Sequence, residues 1–347
     1  MPESSATTTP TRDGNRASES VRHVRLSVLE STRAERGMSG YAAIEQTVAV
    51  AAAADECGYH RLWVTEHHGQ AEIASCAPAV LVAHLAARTR TLRVGAGGVQ
   101  LVNHSPLVVA EQFRTLEALH PGRIDLGIGG GPGSPTDLAV YGQALGRSPD
   151  FQRDYPRRVD DLIAFVSGEF PGGHRYREIP ISPRVRPVPV FLLGQSVRGA
   201  GLAAERGLPF AFAHHLGVEP PATVLTHYRA SFRPSRALSE PYVIVSVGVS
   251  CTPVDAADSS TAASLPHSWV VGDGSTVTTA LAELASATAA NELMVMPIEP
   301  DGPGRIRTLR MIADGLGAQH MRPATGSGHA VRLGAGRETS RGADHVW

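Results

Sequence analysis

The 347-residue chain contains no lysine, and all 32 of the residues counted as lysine or arginine are arginine. Without an ε-amine there is no Schiff-base nucleophile, no lysine-anchored pyridoxal phosphate and no lysine of a nucleotide-binding P-loop. Arginine and backbone amides must do any anion binding. Cysteine is scarce as well. Cys57, Cys76 and Cys251 are odd in number, far apart and without CxxC spacing, which argues against a disulfide framework or a zinc finger and fits a reducing compartment. No run of about 18 apolar residues occurs, and the N-terminus lacks the charged-then-apolar layout of a secretory signal, so a cytoplasmic protein without a membrane anchor is expected. Charge of one sign is also missing. The net charge is -1 and the arginines are scattered, so the basic face that nucleic acid or an anionic membrane needs is not expected. A small-molecule partner fits better.

What is present is an alternation. Short β-branched runs at 24–29, 62–65, 92–101, 124–128, 188–193, 209–213, 242–249 and 292–296 are separated by segments of helical period, the pattern of a parallel sheet covered by helices. Val159, Leu162, Ile163 and Val166 show the i, i+3, i+4, i+7 spacing of a helix face packed on a sheet. Ser75, Ser105 with Pro106, and Ser148 with Pro149 stand where helix starts are expected. Eight such units predict the α/β class and a closed (β/α)8 TIM barrel over 23–320. A doubly wound open sheet would carry fewer units and its phosphate loop after the first strand. Residues 1–22 and 321–347 lack apolar period and are expected to be disordered tails.

In such a barrel the chemistry sits at the C-terminal ends of the strands. The second strand runs into Glu66, His67 and His68, the third into Asn103 and His104, and the sixth into His214 and His215. Imidazoles converging on one mouth suit acid/base work or hydrogen bonding to a cofactor. Metal binding is disfavoured, because adjacent strand residues point to opposite faces and a doublet cannot reach one ion without a bend. The fourth strand ends in the glycine-rich loop 127–133, which includes Gly129 and Gly130, and the fifth in Gly194, Gln195 and Ser196, followed by Gly199 and Gly201. Exposed backbone N–H groups in the first, and a helix N-terminus in the second, suit one phosphorylated ligand.

The stretches GYHRLWVTEHH, ASCAPAVLVAHLAARTRTLRVGAGGVQLVNHSPLVVAEQFRTLEALHPGRIDLGIG and PVFLLGQSVRGAGLAAERGLPFAFAHH resemble the bacterial luciferase-like, flavin-dependent monooxygenases. The resemblance implies a barrel that binds FMN, takes it reduced from a separate flavin reductase, and uses dioxygen to oxidise a small organic substrate through a flavin C4a-hydroperoxide. It implies that His67 is the catalytic histidine beside the flavin, with His104 and His214 as supporting polar groups. Gly97 and Gly98 match the position of a non-proline cis peptide under the isoalloxazine, Asn103 and His104 match pocket residues, and Ser196 with Gly199 matches the phosphate-binding turn. Two departures accompany it. Many relatives carry a phosphate-contacting arginine where this chain has Gly130, leaving backbone N–H groups, Arg147 or Arg198 to compensate. The connection 250–270 is short for one that helps cover the substrate. F420-dependent hydride transfer on a related barrel, and a non-catalytic flavin-binding barrel, are the alternatives. Leu, Val and Phe positions on the second and third helices could support a homodimer face.

Overall fold

The computed structural model describes residues 24–35, 37–131, 138–251 and 266–316; the two expected tails and most of 250–270 lie outside them. Strands β1 (Arg25–Glu30), β2 (Arg61–Val64), β3 (Arg93–Gln100), β4 (Ile124–Gly129), β5 (Val190–Gly194), β6 (Phe210–Phe212), β7 (Val243–Cys251) and β9 (Glu292–Pro297) pair in parallel. They close through β6–β7 and β9–β1 into an eight-stranded barrel. Nine consecutive buried residues form β7, as expected of a strand covered on both faces. A further strand, β8 (Trp269–Gly272), pairs only with the end of β7, at Gly248–Cys251. No strand is expected there from the sequence, because four residues without alternation carry no period.

The covering helices are α1 (Gly40–Glu56), α2 (Pro78–Arg88), α3 (Pro106–Leu119), α4 (Leu138–Ala144), α5 (Phe151–Ser167), α6 (Val197–Glu205), α7 (Pro221–Ser231), α8 (Gly274–Thr288) and α9 (Gly302–Leu316). Side chains cap four of these helices where the orphan N–H groups need them: Ser39 on α1, Ser196 on α6, Asp273 on α8 and Asp301, whose Oδ1 accepts the Gly304 N–H, on α9. Two expected starts differ. Ser75 caps nothing, since α2 begins at Pro78 and the Ser75 hydroxyl donates instead to the Ser31 carbonyl at 3.1 Å. Asp150 and not Ser148 precedes α5, the Ser148 hydroxyl accepting from the Asp150 N–H at 3.2 Å.

The strand period of two sorts the barrel interior into layers. Inward positions read Ser27 then Leu29 on β1 and Arg61, Trp63, Thr65 from the start of β2 to just past its end. On and beside β7 they read Tyr242, Ile244, Ser246, and on β9 Glu292, Met294, Met296. The lowest layer is charged. Arg61 donates to Asp125 Oδ2 at 2.6 Å and to Glu292 Oε1 at 2.8 Å, Trp63 Nε1 to Asp125 at 3.2 Å, and Tyr242 to Glu292 Oε2 at 2.8 Å. Above it, Leu29, Trp63, Phe191, Ala211, Ile244 and Met294 form an apolar plug. Strand β3 contributes only Gly95 and Gly97 at these levels. A Cβ on Gly97 would stand 2.8 Å from both Leu29 and Trp63, so the absent side chain makes room for the plug.

Candidate active site

Above the plug the barrel opens into a cavity of about 1130 Å³, beyond the roughly 300–1,000 Å³ of ordinary small-molecule sites. His67, Gly97, Gly98, Gly129, Gly130, Gly194, Gln195, Ser196 and Gly199 all line it. The glycines bring backbone close. A Cβ on Gly98 would lie 2.9 Å from the Gly127 carbonyl, and the peptide bond between Gly97 and Gly98 is cis. His104 and Asn103 stand behind the cavity wall and are not among its lining residues, and the same holds for His214.

The buried Glu66, 3% exposed and itself on the cavity wall, organises His104 directly and Asn103 through Gln100. Its Oε1 accepts from Nε2 of both His68 and His104 at 2.7 Å, and its Oε2 accepts the Gln100 N–H at 3.0 Å. Burial alone would raise this carboxyl, but the hydrogen bonds from His104 and His68 hold it below the usual range. Asn103 is tied in from two sides, donating to Gln100 at 2.8 Å and accepting from Arg147 Nε at 2.6 Å. The ligating atoms of Glu66, His68 and His104 lie within 4.8 Å of one another. The ring contacts to a single carboxylate oxygen are those of hydrogen bonds.

His67 faces the other way. Its Nδ1 lies 3.0 Å from Thr65 Oγ1, which lies 3.1 Å from Ser75 Oγ, and the backbone N–H of His67 donates to the Ser75 carbonyl at 2.9 Å. Burial lowers its pKa, so the ring is neutral at pH 7. His215 joins it on the cavity wall, a position next to the expected His214. Its Nδ1 lies 2.8 Å from Ser246 Oγ, and burial, with His214 and His67 nearby, brings it down to about 4. Strand β8 supports this segment, the Trp269 indole donating to the His215 carbonyl at 2.8 Å.

At the far end stands the N-terminus of α6. Ser196 Oγ accepts the Gly199 N–H at 3.3 Å, while the Val197 N–H donates to the Glu219 carboxylate at 3.3 Å. A carboxylate of the chain itself thus already sits where N–H groups and the helix dipole favour an anion. Arg198 borders the cavity here for a reason in α5. Pro156 lies inside that helix and has no N–H, so the Gln152 carbonyl four residues earlier loses its usual donor, and Arg198 supplies one at 3.3 Å. Arg147, the other candidate cation, is engaged with Asn103 and the Phe151 ring. Gly130 has its own cause. A Cβ there would stand 2.8 to 3.0 Å from the Tyr155 ring, so an arginine at 130 and Tyr155 in this position exclude each other. The Tyr155 hydroxyl and Gln195 Oε1 are buried without hydrogen-bond partners.

These residues suit a flavin mononucleotide in kind: a long cleft, neutral imidazoles and close backbone at one end, and helix N–H groups with Arg198 at the other. The family model for luciferase-like monooxygenases matches residues 24–317. A luciferase-like monooxygenase of Escherichia coli (strain K12) is 42% identical over 228 residues, 65% of this chain and 66% of the relative's length. The crystal structure of apo-MsnO8 is similar with a TM-score of 0.75 and 35% identity, covering 84% of this chain and 98% of that one. The oxygenating constituent of 3,6-diketocamphane monooxygenase from Pseudomonas putida, solved with FMN, shares the fold with a TM-score of 0.65 at 17% identity, covering 85% and 98%.

Proposed function

The chain belongs to the luciferase-like monooxygenase family, and from that premise we propose that it is a flavin-dependent monooxygenase. It takes reduced FMN from a separate flavin reductase and inserts one atom of dioxygen into a small organic substrate, the other leaving as water. When bound, the reduced flavin supplies the two electrons for that oxygen chemistry. The protein's residues do the rest. The plug of Leu29, Trp63 and Met294 closes the cavity floor to water, and the Ser196 turn with Arg198 holds the anionic end. His67 offers a neutral imidazole at the reacting end. The observation carrying this reading is that His67, the Gly97–Gly98 peptide and the Ser196 turn face one cavity although they lie on or just after three different strands, β2, β3 and β5.

The test is anaerobic titration with reduced FMN followed by rapid mixing with air-saturated buffer. Saturable binding and a flavin reoxidation rate changed by the protein are expected. Reoxidation at the rate of free flavin would overturn the proposal, and substrate turnover without oxygen would place the chain with hydride-transfer enzymes instead.

A further inference from the structure

Each of the two imidazoles on the cavity wall is backed at Nδ1 by a hydroxyl whose own proton is already committed. We propose that these hydroxyls fix His67 and His215 as the Nδ1–H tautomer, so that the cavity presents two bare Nε2 lone pairs. Thr65, Ser75 and Ser246 are then the positioning residues that set the proton inventory of the site. The inference rests on the reading of the cavity as the oxygenase site for its use, but not for its geometry.

The argument runs inward from groups whose role is fixed. A carbonyl oxygen only accepts, and a hydroxyl has one proton. The Ser75 hydroxyl lies 3.1 Å from the Ser31 carbonyl and gives it that proton. At 3.1 Å from Ser75, Thr65 must therefore donate to it. The Thr65 proton is then used, and the 3.0 Å contact with His67 Nδ1 requires the ring to donate. The second imidazole repeats this with one hydroxyl fewer. Ser246 donates to the Phe212 carbonyl at 3.2 Å, so the 2.8 Å contact with His215 Nδ1 is made by the ring N–H. Burial keeps both rings neutral at pH 7, which leaves each Nε2 without a proton. Neither Nε2 has a protein partner among the described residues, and both residues line the cavity. His68 and His104 are the reverse case: a carboxylate oxygen cannot donate to them, so their contacts with Glu66 at 2.7 Å make both rings Nε2–H donors.

The chemical consequence concerns what this end of the cavity accepts. Two lone pairs receive hydrogen bonds from ligand N–H or O–H groups, or take a proton from them, and repel a phosphate or carboxylate. His215 becomes a second proton acceptor beside His67, and a substrate held here presents a hydrogen-bond donor. Its anionic groups, where it has them, lie toward Arg198.

Long-range 1H–15N correlation spectra of the purified full chain test this without flavin or substrate, with rings assigned through H67Q, H215Q, H68Q and H104Q. Nδ1–H patterns are expected for His67 and His215 and Nε2–H patterns for His68 and His104. In S75A the His67 pattern should be lost although Ser75 does not touch the ring, T65V should do the same, and T65S should retain it. S246A should shift the His215 signals and leave those of His67 unchanged, the Ser246 backbone remaining as a partner of the His215 ring. An Nε2–H pattern for His67 or His215 in the unmodified protein, or an unchanged His67 in a folded T65V, overturns the proposal. If S75A does not fold, T65V and the unmodified protein decide. A chain that binds no flavin but shows these tautomers would sink the proposed function and leave this inference standing.

Discussion

The two ends of the barrel bury polar groups in opposite ways. At the lower end, four formal charges on Arg61, Arg93, Asp125 and Glu292 share one network with Trp63, Ser27 and Tyr242, and no side-chain atom of these residues is buried without a partner. At the mouth, His67 and His215 have unengaged ring nitrogens, and Tyr155 and Gln195 hold buried polar atoms without partners. A buried polar network that is fully satisfied rigidifies a fold, while unmet hydrogen-bonding capacity is retained where a ligand supplies the partner. The lower end holds the barrel together; the mouth leaves polar groups unpaired where the proposed function places a ligand.

The strongest way to break this comparison is to remove one charge below. Arg61→Ala leaves Asp125 and Glu292 buried without their shared partner, and a loss of about 3–5 kcal/mol is expected in denaturant unfolding. His67→Ala should leave that unfolding nearly unchanged and lower oxygenase turnover by about 100-fold or more. Equal stability losses in the two variants would show that the ends do not differ as described.

Acid sharpens the contrast. Burial would raise the Asp125 carboxyl, but Arg61 and Arg93 hold it at about 2 against an ordinary 3.8. Its contribution is therefore present above the ordinary carboxylate range and is lost as pH falls from about 4 toward 2. His215 acts earlier. Burial holds it at about 4 against 6.5, so the unfolded chain binds the extra proton first and stability declines as pH falls from about 6.5 toward 4. Unfolding free energies measured from pH 8 to 3 should show this decline, and H215Q should make it shallower between 6.5 and 4 without removing it, because burial lowers His60 to about 4 as well.

The smallest effect concerns Glu219. With its carboxylate on the Val197 N–H, it competes with any incoming anion, and Glu219→Gln should tighten FMN binding by roughly 2- to 5-fold, in line with about 0.3–1 kcal/mol for a charge at a helix end. Riboflavin, which lacks the phosphate, should bind both forms equally in the same fluorescence titration.

Eight barrel strands were readable because each is a short apolar run between helical periods, and the barrel follows from their number. His67, Gly129, Gly130 and the turn from Gly194 to Gly199 were placed at one mouth by their positions at strand ends, which converge in such a barrel, whereas Gly97 and Gly98, inside β3, were singled out only by the family resemblance. The next layer of the site was not readable. Ser75 looks like a helix cap in sequence, yet it packs against His67, ten residues after Thr65 and brought back by the loop between them. His214 and His215 are equivalent in sequence, and the 3-10 turn at His214–Leu216 turns the second toward Ser246. Tyr155 gave no signal at all, because its relation to Gly130 exists only across two elements.

The order of residues alone determined the alternating architecture, the absence of lysine chemistry and the placing of imidazoles and glycines at strand ends, because period and composition are local properties. Tertiary structure decided which of those imidazoles share a cavity, which nitrogen of each carries its proton, and why position 130 has no side chain. Each of these depends on the distance between groups far apart in the chain, and only closure of the barrel sets those distances.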